Sequence, residues 1–493
     1  MSPMLALYSW PVISAVLLRR FNLPLGILLV IVAGYMFLPS RFAIDFPMIP
    51  PLDKNVVPVL TVVLLCVLMA QRASQTPNQA GWMPKSNLAR LLIVALIVSP
   101  FATSLTNPDP LVYEVKRLPA LRLYDGFSTA IIAALTVLPA LVGRKYFARP
   151  DMHRLILIVL CLTGCAYTIL ALYEVRFSPQ INRWFYGFTS HMWVQHVRGD
   201  GFRPMVFMEH GLRVSLFFAM ALIATLGLVR MGWKLGPTIA AAGWIAITLV
   251  LCKSLGAVMI ALMLTPVVLF LSIRMMILVA AVIGFSVIAY PMLRGSGLAP
   301  VEWVMEQAAT VDPDRAASFL VRLENEDQLL ARAQQRPLFG WGGWERSRVR
   351  DERGNDDTIA DGYWIIIIGK GGWVRYVGEF GLMTLPMLFL FFYRGRMNIS
   401  RETAILSVLL AGNMIDLIPN SGITPITWLI AGALWGRLEV GDHTEDPSGA
   451  PPAEPSEPDP RHRYTRDFGK SPIVRQQRRG PARGQQTRQA RST

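Results

Sequence analysis

Cationic side chains recur beside apolar segments of this chain, with a histidine and a carboxylate near them. Those residue types can hold a phosphorylated group and move a proton. The stretch FRPMVFMEHGLR sets Arg203, His210 and Arg213 immediately before an apolar run. If a helix begins near Glu209, then Glu209, His210 and Arg213 share about one turn. Arg213 and the earlier Arg198 also fit a blander role, arginines snorkelling to headgroups at a helix end. In LVLCKSLGAVM, Lys253 has apolar sequence on both sides and Ser254 beside it. A lysine at membrane depth costs about 2.5–3.5 kcal/mol, so Lys253 either faces an anion in a cavity or is solvated in a tight turn.

A long polar stretch over residues 292 to 372 carries the remaining candidates. Arg322 and Glu326 stand four apart, the spacing of a helical ion pair, and Arg322 can equally contact an anion. RPLFGWGGWER joins Pro337 and three glycines to Trp341 and Trp344, with Arg346 next. Glycines allow a backbone to approach a ligand, while tryptophans stack on sugar faces or anchor in a membrane interface. Asp361 precedes Gly362 and Tyr363, with Lys370 and Arg375 following. It is either a general base for a hydroxyl or a helix N-cap. Asn413 and Asp416 lie late in another run and face a cavity or end the helix. The literal DxD at 312 to 314 and the pair Asp356-Asp357 lack a histidine or third carboxylate at a ligand-like spacing, so no metal is expected. Arginines can grip phosphate oxygens instead. There is no Walker A sequence and no HExxH, and no cofactor is implied.

These residues must be positioned by lipid-soluble elements. Of 493 residues, 53% are hydrophobic and 16% charged, against about 25% charged in a soluble domain. Apolar runs of the length that crosses a bilayer occur near 23–39, 55–71, 87–104, 127–143, 153–173, 211–229, 236–252, 255–272, 275–291, 374–393, 402–418 and 421–436. A shorter run at 3–18 contains Pro11 and either spans or forms half of a hairpin. Backbone groups in lipid need internal partners, so the runs should be helices. The expected fold is an all-α polytopic bundle of about 12–13 transmembrane helices. Residues 1 to 10 lack the basic region of a cleaved signal, so the first helix should stay. Cys66, Cys161, Cys165 and Cys252 fall in or at the end of apolar runs and read as small buried hydrophobes.

Short loops rich in Lys and Arg mark the cytoplasmic side. Arg19, Arg20, Arg72, Lys85, Arg144, Lys145, Arg149, Arg230, Lys234, Arg274, Arg394, Arg396 and Arg401 then gather there. The loops at 40–54, 105–126, 174–210 and 292–372 face outward. Four regions result: an N-terminal transmembrane bundle (1–291), a large outward loop (292–372), C-terminal transmembrane helices (373–438) and a disordered cytoplasmic tail (439–493). The tail is acidic and Pro-rich over 442–459, then basic over 461–491. It cannot bury enough apolar surface to order itself. Residues 461–491 carry ten Lys and Arg against one Asp, a charge that membrane lipid headgroups account for without nucleic acid.

The many helices, Arg203 and His210 before a helix, the Lys253-Ser254 turn, and RPLFGWG, DGYW and GEFGL in sequence together resemble the O-antigen ligase and O-antigen polymerase family. LYSWP, FLPSRFAIDFPMIPPLDK and LRLYDGFS are similar to an exopolysaccharide polymerase subgroup. The resemblance covers most of residues 1 to 436. It implies transfer of a glycan from a polyprenyl-pyrophosphate carrier at the periplasmic face of the bacterial inner membrane. Polysaccharide chain-length or export proteins join the carrier-linked glycan as expected partners. By position, Arg203, Arg213 and Lys253 would hold substrate, assisted by Arg322, Arg346, Trp341 and Tyr363, with Asp361 or His210 as base. Ligases typically carry a histidine near the position of Asp361, and this loop has none, which favours a polymerase over a ligase. A transporter or lipid flippase is the rival from another class, and a scaffold acting through the tail is a third.

Overall fold

A computed structural model describes residues 1–46, 49–69, 80–198, 201–298 and 313–441. The described residues are mostly helical, and three short two-stranded ribbons lie in the loops. The DxD at 312–314 and the tail from 442 onward lie outside the described residues or their described side chains. Helix α1 (Pro3–Arg20) runs unbroken through Pro11 and packs on α2 (Leu23–Phe37), settling that pair as a hairpin. The bundle continues with α3 (Val57–Leu68), α4 (Asn87–Leu105), α5 (Leu123–Tyr146) and α6 (Pro150–Phe177). A short α7 (Ile181–Tyr186) precedes α8 (Gly211–Arg230), α9 (Leu235–Leu251), α10 (Leu255–Phe270) and α11 (Ile273–Gly295). Then come α12 (Pro313–Gln334), α13 (Tyr363–Tyr393), α14 (Arg401–Asp416) and α15 (Pro425–Val440).

Six of these, α4, α5, α6, α8, α11 and α13, are long and apolar enough to cross a membrane. Four shorter apolar helices, α2, α3, α9 and α10, accompany them. Their outer faces expose Leu64, Leu91, Ile169, Leu262 and Phe285, each more than half accessible. An apolar surface of that extent belongs against lipid. Inside, small residues bring helices together: a Cβ on Gly143 of α5 or Gly432 of α15 would collide with the other helix's backbone, at Leu429 O and Ala140 O. Close backbone approach is how apolar helices attract each other without a hydrophobic driving force.

Contacts sort the loops into two ends. At one end, buried Arg144 pairs with Glu439, Arg437 donates to Asn398 O (2.9 Å), and Arg401 donates to Arg230 O (3.4 Å). At the other, Ser40 meets Ser190 (2.9 Å), Lys54 donates to Phe207 O (3.0 Å), and Asn107 donates to Gly340 O (3.0 Å). Lys85, Arg144, Arg230 and Arg401 of the expected basic side therefore share one end, the long loops meet at the other, and Arg72 lies outside the described residues.

Three boundaries differ from the sequence reading. Helix α13 begins at Tyr363, not near 374, so the last turns assigned to the large loop are helical. Within that loop α12 is itself a helix. Helix α15 continues to Val440, because Glu439 is tied to Arg144 and accepts from the Lys85 N–H (2.9 Å).

Candidate anion site among the long loops

Residues 201–210 dip beneath the surface, and their backbone needs internal partners there. Glu174, near the end of α6, supplies them: its carboxylate accepts from Met205 N (2.8 Å), Val206 N (2.7 Å) and Ile181 N (2.9 Å). Lys54 holds the same segment through Phe207 O. Burial lowers the Lys54 pKa to about 8. Neither residue was singled out by motif or spacing, since their role exists only once the loop folds over them.

Arg203 is fixed by this dip. Its N–H donates to His196 O (2.8 Å) and its Nη2 to Lys253 O (3.1 Å), while its buried Nε has no partner. Lys253 lies in the α9–α10 turn with φ 53° and donates to Arg198 O (2.9 Å), so it is a turn residue and not an intramembrane cation. Burial first, then repulsion from Arg198 and, further down, Arg322, lowers the Arg203 pKa to about 10. Among the described residues no carboxylate lies within ion-pair distance of Arg203. A buried guanidinium repelled by its neighbours is costly unless an anion joins it. Arg198 and Arg203 share one loop, Lys253 comes from the α9–α10 turn and Arg322 from α12, so three separate segments contribute.

The neighbouring residues do other work. His210 N-caps α8, its Nδ1 accepting from Leu212 N (3.1 Å), which puts the proton on Nε2. His191 and His196 crowd it, with ring centroids 4.7 and 4.8 Å away. Burial and these rings lower its pKa to about 3, and burial lowers that of His196 to about 4. A neutral ring whose free lone pair is spent on a cap is a poor proton acceptor, which corrects the reading of His210 as a base. Arg213 pairs with Glu209 (2.9 Å) as an i,i+4 neighbour, a blander role than substrate contact. Asp416 accepts from Asn420 (2.8 Å) at the end of α14, and Asn413 donates to Leu409 O (3.1 Å).

Helix α12 brings Arg322 to Asp361, Nε to Oδ2 3.2 Å, with both side chains partly exposed. The expected Arg322–Glu326 pair does not form. Glu326 turns inward to accept from Tyr290 (3.4 Å), and burial raises its pKa to about 7. Asp361 is not an N-cap, because Gly362 occupies that position. Tyr363 points into the bundle, where its hydroxyl meets Glu379, which also accepts from Arg375 (2.7 Å). That corrects its assignment to substrate.

The glycine-tryptophan stretch is also structural. Helix α13 breaks at Gly372 (φ 66°), and the loop repairs the break. Trp341 N and Gly342 N donate to Gly369 O (2.9 Å) and Lys370 O (2.8 Å). Trp373 N and Val374 N donate in return to Pro337 O (2.8 Å) and Leu338 O (3.2 Å). A Cβ on Gly340 (φ 66°) would sit 2.6 Å from Gly371 N, and one on Gly372 would sit 2.3 Å from Leu338 O. The glycines thus admit a second stretch of this chain, not a ligand. Trp341 is buried, donates to Arg332 O (2.8 Å), and stacks under the Arg332 guanidinium at 3.4 Å. Arg346, 1% exposed, donates to Pro119 O (2.7 Å) and Asp109 O (3.0 Å). Both are struts, which corrects their reading as substrate contacts.

What remains at the long-loop end is buried Arg203 with the cations Arg198, Lys253 and Arg322 near it, and Asp361 attached through Arg322. Compared with models of known families, with curated proteins and with solved structures, the chain has no match.

Proposed function

We propose that this chain is a bacterial inner-membrane glycosyltransferase of about 12–13 transmembrane helices that polymerises glycan repeats carried on polyprenyl pyrophosphate, at the periplasmic face. The reading rests on the resemblance to O-antigen polymerases and ligases. The observation that carries it is the buried Arg203, which among the described residues has no carboxylate within ion-pair distance and is repelled by Arg198 and Arg322. Fixed cations in a shielded site stabilise the charge that develops on a departing diphosphate. In the reaction an acceptor hydroxyl oxygen attacks the anomeric carbon, the carbon–oxygen bond to pyrophosphate breaks, and the carrier leaves with the electron pair. Asp361 takes the hydroxyl proton. Arg322, shared between Asp361 and the site, releases that carboxylate as it turns to the diphosphate.

Replacing Arg203 with Ala in the native host tests this. Loss of long glycan at normal protein level, with single lipid-linked repeats accumulating, is the expected result. Unchanged chain length would remove the mechanism, and accumulation of lipid-linked polymer would make the protein a ligase.

A further inference from the structure

A cleft with polar and apolar lining lies at the end of the bundle opposite Arg203. Helix α11 begins at Ile273 and carries Arg294 in its last turn, where it pairs with Asp327 of α12 among the long loops (2.7 Å). Its start, with Arg274, therefore faces the other end, and so does the finish of α13 at Tyr393. Between these two helix ends is a cleft of about 630 Å³, lined by Arg274, Met275, Leu278, Phe391, Phe392 and Arg394. Two cations stand at its mouth and an apolar wall lies behind them.

Arg274 is anomalous as a helical residue. It occupies the first turn of α11, where the macrodipole is positive and where, apart from Met275 N capped by the Ser272 hydroxyl (3.4 Å), the initial N–H groups have no acceptor within the helix. A cation there is repelled, and among the described residues its exposed side chain makes no hydrogen bond or ion pair. Arg394 packs over the Phe391 ring at 3.8 Å, which directs it to the same mouth. Arg230 and Arg401 add positive charge at this end. An anion seated on the α11 N-terminus would relieve Arg274 and accept from both arginines. Phe392, 68% exposed, and Leu278 continue the cleft along the lipid-facing side.

We propose that this cleft binds one anionic glycerophospholipid, its phosphate held by Arg274, Arg394 and the start of α11, and an acyl chain lying on Leu278 and Phe392. Basic pockets between membrane helices on the cytoplasmic side select anionic headgroups in this way. The assignment needs the apolar helices to lie in a bilayer, and it does not depend on the chemistry at the other end.

The test is native mass spectrometry of the full-length protein in detergent, titrated with dioleoyl-phosphatidylglycerol, with dioleoyl-phosphatidylcholine, and with inorganic phosphate as competitor. The wild type should retain one phosphatidylglycerol about tenfold more tightly than phosphatidylcholine, and Arg274→Ala with Arg394→Ala should abolish that preference. Arg41→Ala, at the long-loop end, should leave it intact. If the double variant does not fold, Arg274→Ala alone, with no bonded partner to lose, should still weaken the preference. Equal retention of both lipids by the wild type, an unchanged preference in the variants, or full displacement by millimolar phosphate would each overturn the lipid site.

Discussion

Arg203 places function and stability in opposition. Arg203 is 8% exposed and, among the described residues, its charged neighbours are cations, so under the proposed function removing it should remove activity without lowering the melting temperature. We expect Arg203→Ala to reduce polymer formation by about 100-fold or more, with a thermal midpoint equal to or above that of the wild type. Arg203→Lys keeps the charge and loses the planar fork, so it should recover only part of the rate. Glu326 gives a separate signature. Its folded pKa, raised to about 7, lies above the unfolded carboxyl value. The stability this favours is therefore present below the unfolded pKa and is lost as pH rises through about 7. Thermal melts from pH 5 to 8.5 should show a falling component that Glu326→Gln removes. The sequence made Arg203 and Asp361 visible through the motifs that hold them and Arg322 through its spacing to Glu326. It hid Glu326, whose neighbour at i−4 offered a surface pair that the fold did not take.

Helix α13 and the loop against it show why element boundaries were harder to read than elements. The sequence GKGG interrupts the apolar run with a charge and three poor helix formers. The chain continues through it because residues 337–342 satisfy the groups the break leaves open. No local propensity encodes a partner that lies about thirty residues away, so the helix was expected only from 374. The same blindness gave Trp341 and Arg346 to the ligand, when their partners are Arg332 O and Pro119 O. Gly340→Ala and Gly372→Ala should each destabilise the protein by about 1–3 kcal/mol or more, through strain at positive φ and overlap with the facing backbone. Gly343 has open space and no positive φ, so Gly343→Ala should be neutral or stabilise by up to about 1 kcal/mol. Denaturant or thermal unfolding of the three variants side by side measures the difference.

At the scale of the molecule, the hydropathy pattern carried nearly the whole bundle: each apolar run became a helix, and the basic loops gathered at one end. What it missed was the bracing between distant segments. Glu439 fell in a stretch expected to be disordered, yet it neutralises Arg144 inside the bundle. Glu439→Gln should cost about 3 kcal/mol by leaving that arginine buried without its partner. Truncation after Gly441 spares the contact and should leave glycan output unchanged, contrary to a scaffold acting through the tail. The long-loop end has its own pH limit. His196 and His210 are held neutral, with pKa values lowered to about 4 and 3. The stability this reflects is present above the unfolded histidine value and is lost as pH falls from about 6.5 toward 4. Hydrogen exchange of residues 191–213 should quicken over that window.

The mutual stitching of residues 337–342 to the broken helix has a consequence for severed chains. The turn around Arg353 is exposed and held mainly by Asp351 and Asn355, whereas the strands of chain on either side are bonded to each other and to α4 through Thr103 and Asn107. Two fragments divided at Arg353 and produced together should therefore find one another and travel as a single particle through purification, joined by these hydrogen bonds, by the Arg144–Glu439 pair and by the packing of α13, α14 and α15 on the helices of the first fragment.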